Sequence, residues 1–197
     1  MRFTRFVLLV LTLASPPTAR AAGFWDPRPR HGGQPALGIG LIGASVSGGG
    51  PSVAGASGSG VQLVGELRLT ERLAWDLRLG GFWAPMGAPA EINYPADDGD
   101  YALASTGLHY DFASVDAWAF WMGAEATLHY ASMSNYFYSV GGIGGGPVLG
   151  ADLVVAGPLT LRARAHLSWV SLSSNYGDKV GTARVFSGGI DLLYVLP

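Results

Sequence analysis

The 197-residue chain has no cysteine, which excludes a disulfide framework and a lipid-modified cysteine at a processed N-terminus. It also has little charge: Asp, Glu, Lys and Arg make up 13% of the sequence, and the single lysine is Lys179. Long apolar runs are missing too. The longest, Phe6 to Ala14, spans nine residues, far short of the roughly 20 that a membrane-spanning helix needs. Beyond it, a glycine or a polar residue interrupts every apolar segment, yet the mean hydropathy is +0.28. Apolar content without apolar helices points to strands in a membrane, because lipid admits only helices and closed barrels.

The N-terminus carries a targeting pattern. Arg2 and Arg5 precede the run Phe6 to Ala14, and Ala19-Arg20-Ala21 supplies a small-residue exit, as in a secretory signal peptide cleaved after Ala21. Residues 22–35 hold Pro27, Pro29 and Pro35 and read as an extended periplasmic leader. Residues 36–197 are expected to form one domain. Losing Arg2, Arg5 and Arg20 reduces the 12 basic residues to nine against 14 acids, a net charge of −5. An acidic chain with dispersed arginines is not built to bind nucleic acid.

What is present in abundance is alternation. From Leu159 to Val170 the odd positions Leu159, Leu161, Ala163, Ala165, Leu167 and Trp169 are apolar, while the even ones include Arg162, Arg164, His166 and Ser168. Successive strand side chains point to opposite faces, so one face is apolar and the other charged. Seven further segments alternate in the same way: Ala36–Ser47, Val61–Leu69, Leu73–Trp83, Tyr101–Phe112, Asp116–Tyr130, Val148–Val155 and Phe186–Leu196. Eight is an even number, as an antiparallel bacterial barrel requires. The expected fold is therefore all-β: a closed, eight-stranded, antiparallel up-and-down transmembrane barrel.

Connections and aromatics agree with it. Short links at Thr70–Arg72, Ala113–Val115 and Ala156–Pro158 alternate with longer ones at Gly48–Gly60, Ala84–Asp100, Ala131–Gly142 and Ser171–Thr182. This is the pattern of short periplasmic turns and longer external loops, with both termini periplasmic. Trp75, Trp83, Trp118, Tyr130, Trp169 and Tyr194 lie near the ends of the apolar columns, as an interfacial aromatic girdle would. The competing architecture is a soluble sandwich or lipocalin-like cup. That fold places its charges outside and favours lysine, whereas here arginines and acids recur at regular positions within strands.

The polar face should carry an interior charge network of Glu66, Arg68, Asp76, Arg78, Asp111, Glu125, Asp152, Arg162, Arg164 and Asp191. An eight-stranded barrel is just wide enough for side chains to fill, and unpaired buried charges are costly, so acids and arginines are expected to pair as a plug. Glu66 and Arg68 are expected to pair with Asp76 and Arg78 across their hairpin. The inward glycines keep open the alternative of a narrow channel for small solutes.

Other candidates are weaker. Glu125, His129 and Ser132 form the only set resembling an acyl-transfer triad. Glu91 with Asp97, Asp98 and Asp100 forms an acidic loop without the spacing of a calcium site. The glycine-rich stretch from Gly48 to Gly60 lacks a phosphate-cradling lysine. No metal and no cofactor is expected. Tyr94, Tyr136, Phe137, Tyr138 and Tyr176 on the loops are the candidates for contact with an extracellular partner.

With these features the chain resembles the small eight-stranded outer-membrane barrels of Gram-negative bacteria, the superfamily of the OmpA membrane domain, OmpX and OmpW. The resemblance covers 36–197 and is architectural. In that superfamily the last strand carries a recognition signal for the barrel-insertion machinery, which Ser187, Gly189, Leu192 and Tyr194 match, although this chain runs on to Pro197 instead of ending on an aromatic residue. The resemblance implies an outer-membrane location, contact with lipid and lipopolysaccharide, and a structural or surface-interaction role in envelope integrity, adhesion or stress resistance. It also brings a lipid A acyl-modifying enzyme into view, since some such enzymes are eight-stranded barrels. The superfamily's lipid A deacylases separate His and Ser by one residue, and here two stand between His129 and Ser132.

Overall fold

The computed structural model describes residues 32–49, 55–86, 97–133, 139–177 and 179–196. They form eight strands: β1 Pro35–Gly48, β2 Ser57–Arg68, β3 Leu73–Met86, β4 Asp97–Val115, β5 Trp118–Met133, β6 Ser139–Ala156, β7 Leu159–Ser174 and β8 Lys179–Val195. Each pairs antiparallel with its successor, and β1 pairs with β8 from Ala36↔Val195 to Gly48↔Ala183, which closes the ring. The expected up-and-down barrel is the observed one.

Local chemistry sets the three short turns. Thr70 Oγ1 accepts from the backbone N–H groups of Arg72 (3.3 Å) and Leu73 (3.0 Å), tying the β2–β3 link. The β4–β5 turn is Asp116-Ala117 rather than Ala113–Val115, because Asp116 takes the positive φ of 54° that the reversal needs. Gly157, with φ of 51°, does the same before Pro158 in the β6–β7 turn. Bulges at Asp111/Ala113 and Val154/Ala156 sit beside these turns, and pairing resumes beyond them at Ala113↔Phe120 and Ala156↔Leu159.

The strands extend further toward the loop side than alternation suggested. β2 begins at Ser57, β4 at Asp97, β6 at Ser139 and β8 at Lys179, so the four long connections are shorter than expected. β6 differs most: its glycine-rich first half reads as a turn by composition. In a closed barrel, however, ladder hydrogen bonds come from the backbone, and a glycine strand flanked on both sides still pairs. Asp97, Asp98 and Asp100 consequently belong to the start of β4 and not to a loop.

Alternation sorts the side chains. Outward, Leu37, Ile39, Leu41, Leu63, Leu79, Leu108, Met122, Leu128 and Leu149 are all exposed and form a continuous aliphatic band. Trp75, Tyr110 and Tyr194 edge it on the turn side; Trp83, Tyr130 and Trp169 edge it on the loop side. Trp118 lies outside as well, stacked on Phe120 with ring centroids 6.3 Å apart. Such a band, some ten residues tall between aromatic girdles, has lipid as its solvent.

Candidate functional site

The lumen is the only part of this barrel where polar chemistry is concentrated among the described residues, and it has two unlike halves. On the turn side every strand except β1 contributes a charged group or its partner. Arg162 of β7 donates from Nε to Asp152 Oδ1 and from Nη2 to Asp152 Oδ2, both at 2.7 Å, and its Nη2 also reaches Glu66 of β2 across the lumen. Arg164 grips both oxygens of Glu125 with one nitrogen, at 2.8 and 3.0 Å. Arg78 donates to Asp191 of β8 at 2.6 Å and to Asp76 of its own strand at 3.3 Å. Asp191 is held a second time by the Gln62 amide at 2.5 Å. Arg68 donates to Asp111 at 2.6 Å and to the Glu71 carbonyl at 3.1 Å, closing the turn end.

All ten residues expected inside therefore point inward, nine of them buried and Asp111 half-buried. Their pairing differs from the expected hairpin scheme. Glu66 and Asp76 are direct register partners, which places like charges opposite each other. Arg162 instead bonds Asp152, its register partner on β6, Arg164 bonds Glu125 of β5, and single bonds run across the lumen from β2 to β7 and from β3 to β8; His109 sits between the two acids at 3.5 Å from Glu66 and 3.7 Å from Asp76. Reach permits the longer pairs: a guanidinium on three methylenes spans a narrow lumen, as Arg162 does in meeting Glu66 while it also holds Asp152 on the neighbouring strand.

Trp121 is the central residue that the charge pattern missed. It is fully buried, donates from Nε1 to Asp152 Oδ1 at 3.0 Å, lies 5.1 Å beneath the Arg162 guanidinium and packs against the His109 ring at 4.5 Å. Parity was the available signal, since Trp121 shares its face with Gly123, Glu125 and His129. Opposite the ring, β6 carries Gly150, where a Cβ would fall 2.1 Å from the indole. β1 makes similar room with Gly40, whose Cβ would fall 2.0 Å from Asp191 Oδ1.

Toward the loops the lumen changes character. Buried Ser105, Thr127, Ser168 and Ser187 form an intermediate layer. Above it Ala44, Val46, Phe82, Tyr101, Val140, Val170, Leu172 and Val185 form an apolar core. Phe82 and Tyr101 stack with centroids 4.5 Å apart and planes within 16°. Tyr101 Oη shares a 2.7 Å hydrogen bond with His129 Nδ1, and His129 Nε2 lies 2.9 Å from Thr127 Oγ1, so both ring nitrogens are engaged.

That arrangement separates the triad candidates. Glu125 is bound to Arg164, and His129 lies four residues along β5, about 13 Å away at strand rise. Ser132 takes the opposite parity and faces outward beside Asp100 and Ser139. The three residues form no nucleophile–base pair. Among the described residues no cluster of three or more His, Asp or Glu residues is arranged to hold a metal ion. In the terminal strand Ser187 and Gly189 face the lumen, while Leu192 and Tyr194 face outward at 46% and 48% exposure. Tyr176 is 70% exposed at the β7–β8 loop; Glu91, Tyr94, Tyr136, Phe137 and Tyr138 lie outside the described residues.

A closed eight-stranded ring with an apolar exterior, aromatic girdles and a charged turn-side interior defines the class of small transmembrane β-barrels. Solved structures share the fold. Neisserial surface protein A is 18% identical with a TM-score of 0.59, over 80% of this chain and 96% of that one. The outer membrane protein OprG from Pseudomonas aeruginosa is 13% identical with a TM-score of 0.56, over 87% and 99%. The outer membrane protein AlkL, solved in lipid bilayers, is 13% identical with a TM-score of 0.55, over 92% and 96%. No family model matches the sequence, and no curated protein matches it. At these identities the likeness establishes the fold.

Proposed function

We propose that this protein is a non-conducting barrel of the Gram-negative outer membrane, exported by a signal peptide spanning residues 1–21, with a structural or surface-interaction role in envelope integrity, adhesion or stress resistance. The single observation that carries this reading is the filled lumen. Four arginines of the turn-side half each bond at least one carboxylate, several of them across the lumen, and an apolar core closes the loop-side half. A solute path needs mobile water from end to end, and the apolar core of the loop-side half interrupts one. What such a barrel offers its surroundings is its rim, where Tyr176 stands exposed and the four long connections emerge.

In this reading the periplasmic leader, expected over residues 22–35, ends at residue 34 because Pro35 already opens β1; Ser187, Gly189, Leu192 and Tyr194 form the insertion signal, and the loops meet any extracellular partner. Planar-bilayer recording of the refolded barrel tests it. We expect a flat baseline without discrete steps; stable, voltage-independent unit conductances contradict the plugged lumen and support the small-solute channel. N-terminal sequencing of the exported protein is expected to begin at Ala22.

A further inference from the structure

The apolar band is not evenly filled. From β7 through β8, β1 and β2 to β3 it is hollowed into a groove of about 670 Å³ walled by Leu161, Leu192, Ile39, Leu41, Leu63 and Leu79. Leu41 and Ile39 stand 69% and 64% exposed there. Two residues toward the loops from Leu41 and Ile190 of its lining, on the same outward face, stand Gly43 and Gly188, which are direct register partners.

These two glycines are not demanded by packing. A Cβ at Gly43 would meet only the Gly58 carbonyl at 3.8 Å, and one at Gly188 only the Arg164 carbonyl at 3.4 Å, both ordinary contacts. The inward glycines are different, as the 2.0 Å approach at Gly40 shows. Neither outward glycine has a positive φ. What their missing side chains create is a trough on the lipid face.

The trough ends at a polar head. Past Gly43 the outward residues of β1 are Ser45 and Ser47; past Gly188 those of β8 are Phe186 and Arg184. Ser47 and Arg184 are register partners, and the other neighbour of Arg184 is the girdle residue Trp169. Among the described residues, Arg184 and Lys179 are the cations of the loop-side rim, and both lie on β8. From Arg184 down to Ile190 is six residues, about 20 Å of strand, or about 15 Å of depth at the usual tilt. That is one leaflet of a hydrocarbon core about 30 Å thick. The groove crosses from β7 to β3, about 19 Å at four inter-strand spacings, wide enough for several acyl chains side by side.

We propose that this seam binds the lipid A part of lipopolysaccharide, with acyl chains lying over Gly43 and Gly188 into the groove and a phosphate on Arg184. The proposal rests on the outer-membrane reading, which puts the loop-side leaflet on the cell surface. An arginine's forked donors suit a phosphate, and a cation at headgroup level beside hydroxyls and an aromatic girdle suits an anionic lipid more than a second barrel.

Native mass spectrometry of the refolded full barrel tests it, with lipid A, dephosphorylated lipid A and phosphatidylglycerol as probes. One lipid A should stay bound to the wild type, at least tenfold tighter than either other probe. Arg184→Gln should weaken lipid A about tenfold and abolish the preference for the phosphorylated form. Gly188→Leu should weaken all acylated probes, Gly43→Leu gives the same test from β1 if Gly188→Leu does not refold, and Arg72→Gln on the turn side should change nothing. Wild-type retention by both Arg184→Gln and Gly188→Leu overturns the proposal, as does equal binding of phosphatidylglycerol. A wild-type dimer that Gly188→Leu dissolves overturns it in favour of a second copy. The outer-membrane reading fails separately, if the wild type stays in solution without detergent and shows no heat-dependent shift in gel migration.

Discussion

The turn-side and loop-side halves of the lumen stand on the same eight strands but are filled by opposite chemistries, and β7 shows the change within one strand. Its inward residues run Thr160, Arg162, Arg164, His166, Ser168, Val170, Leu172, from charge through hydroxyl to hydrocarbon. The charged half is directional. Most of its bonds fix one strand against another, some of them across the lumen, and a slip of one residue would turn the partners out into lipid. The apolar half is non-directional: it excludes water from one end and tolerates exchange of side chains of similar volume. Buried ion pairs contribute little net stability over a hydrophobic filling but are expensive to break singly. Register, then, is the business of the turn-side half, and sealing that of the loop-side half.

This division can be broken at either end. The largest effect is expected for Arg162→Met, which strips the cation shared by Asp152 and Glu66 and leaves two buried acids facing each other; we expect a loss of about 3–5 kcal/mol in urea unfolding from lipid vesicles. Adding Asp152→Asn and Glu66→Gln to that variant should recover much of the loss, because the penalty lies in the unpaired charges. Phe82→Ala in the apolar half should cost about 3 kcal/mol through the cavity beside Tyr101, with no recovery from any charge change. Gly40→Ala, whose methyl meets the Asp191 carboxylate, should cost about 1–3 kcal/mol. Gly43→Ala, three residues on and facing outward, should stay within about 0.5 kcal/mol. A Gly43→Ala variant as damaged as Gly40→Ala would erase the distinction between glycines the packing requires and glycines it does not.

The sequence carries the barrel itself unusually openly, because strands with lipid on one side and a charged lumen on the other alternate in kind at every step. Strand number, order, direction and the inward set of ten charged residues could be read from that alternation. The loop-side half of the lumen could not be read by hydrophobicity, since Phe82, Val170, Leu172 and Val185 are as apolar as the residues facing lipid. Parity alone places them, as it does Trp121. The glycine-rich half of β6 was hidden for a different reason: composition signals a turn, while the ring supplies partners on both sides. Asp152 and Arg162 are register partners of the β6–β7 hairpin, but Arg162 with Glu66, Arg78 with Asp191 and Arg164 with Glu125 join strands that are not neighbours, and neither a hairpin nor a register announces those pairs.

Since the chain has no native cysteine, one introduced thiol reports on one position, and Val170→Cys tests most directly the claim that the lumen is sealed. Val170 is fully buried in the apolar half, and Ser173, three residues further along β7, is exposed at the rim. With a membrane-impermeant thiol reagent added to the refolded protein in vesicles, Ser173→Cys should label promptly and Val170→Cys only after unfolding. Equal labelling of the two positions in the folded barrel would mean a water-filled lumen and would contradict the account.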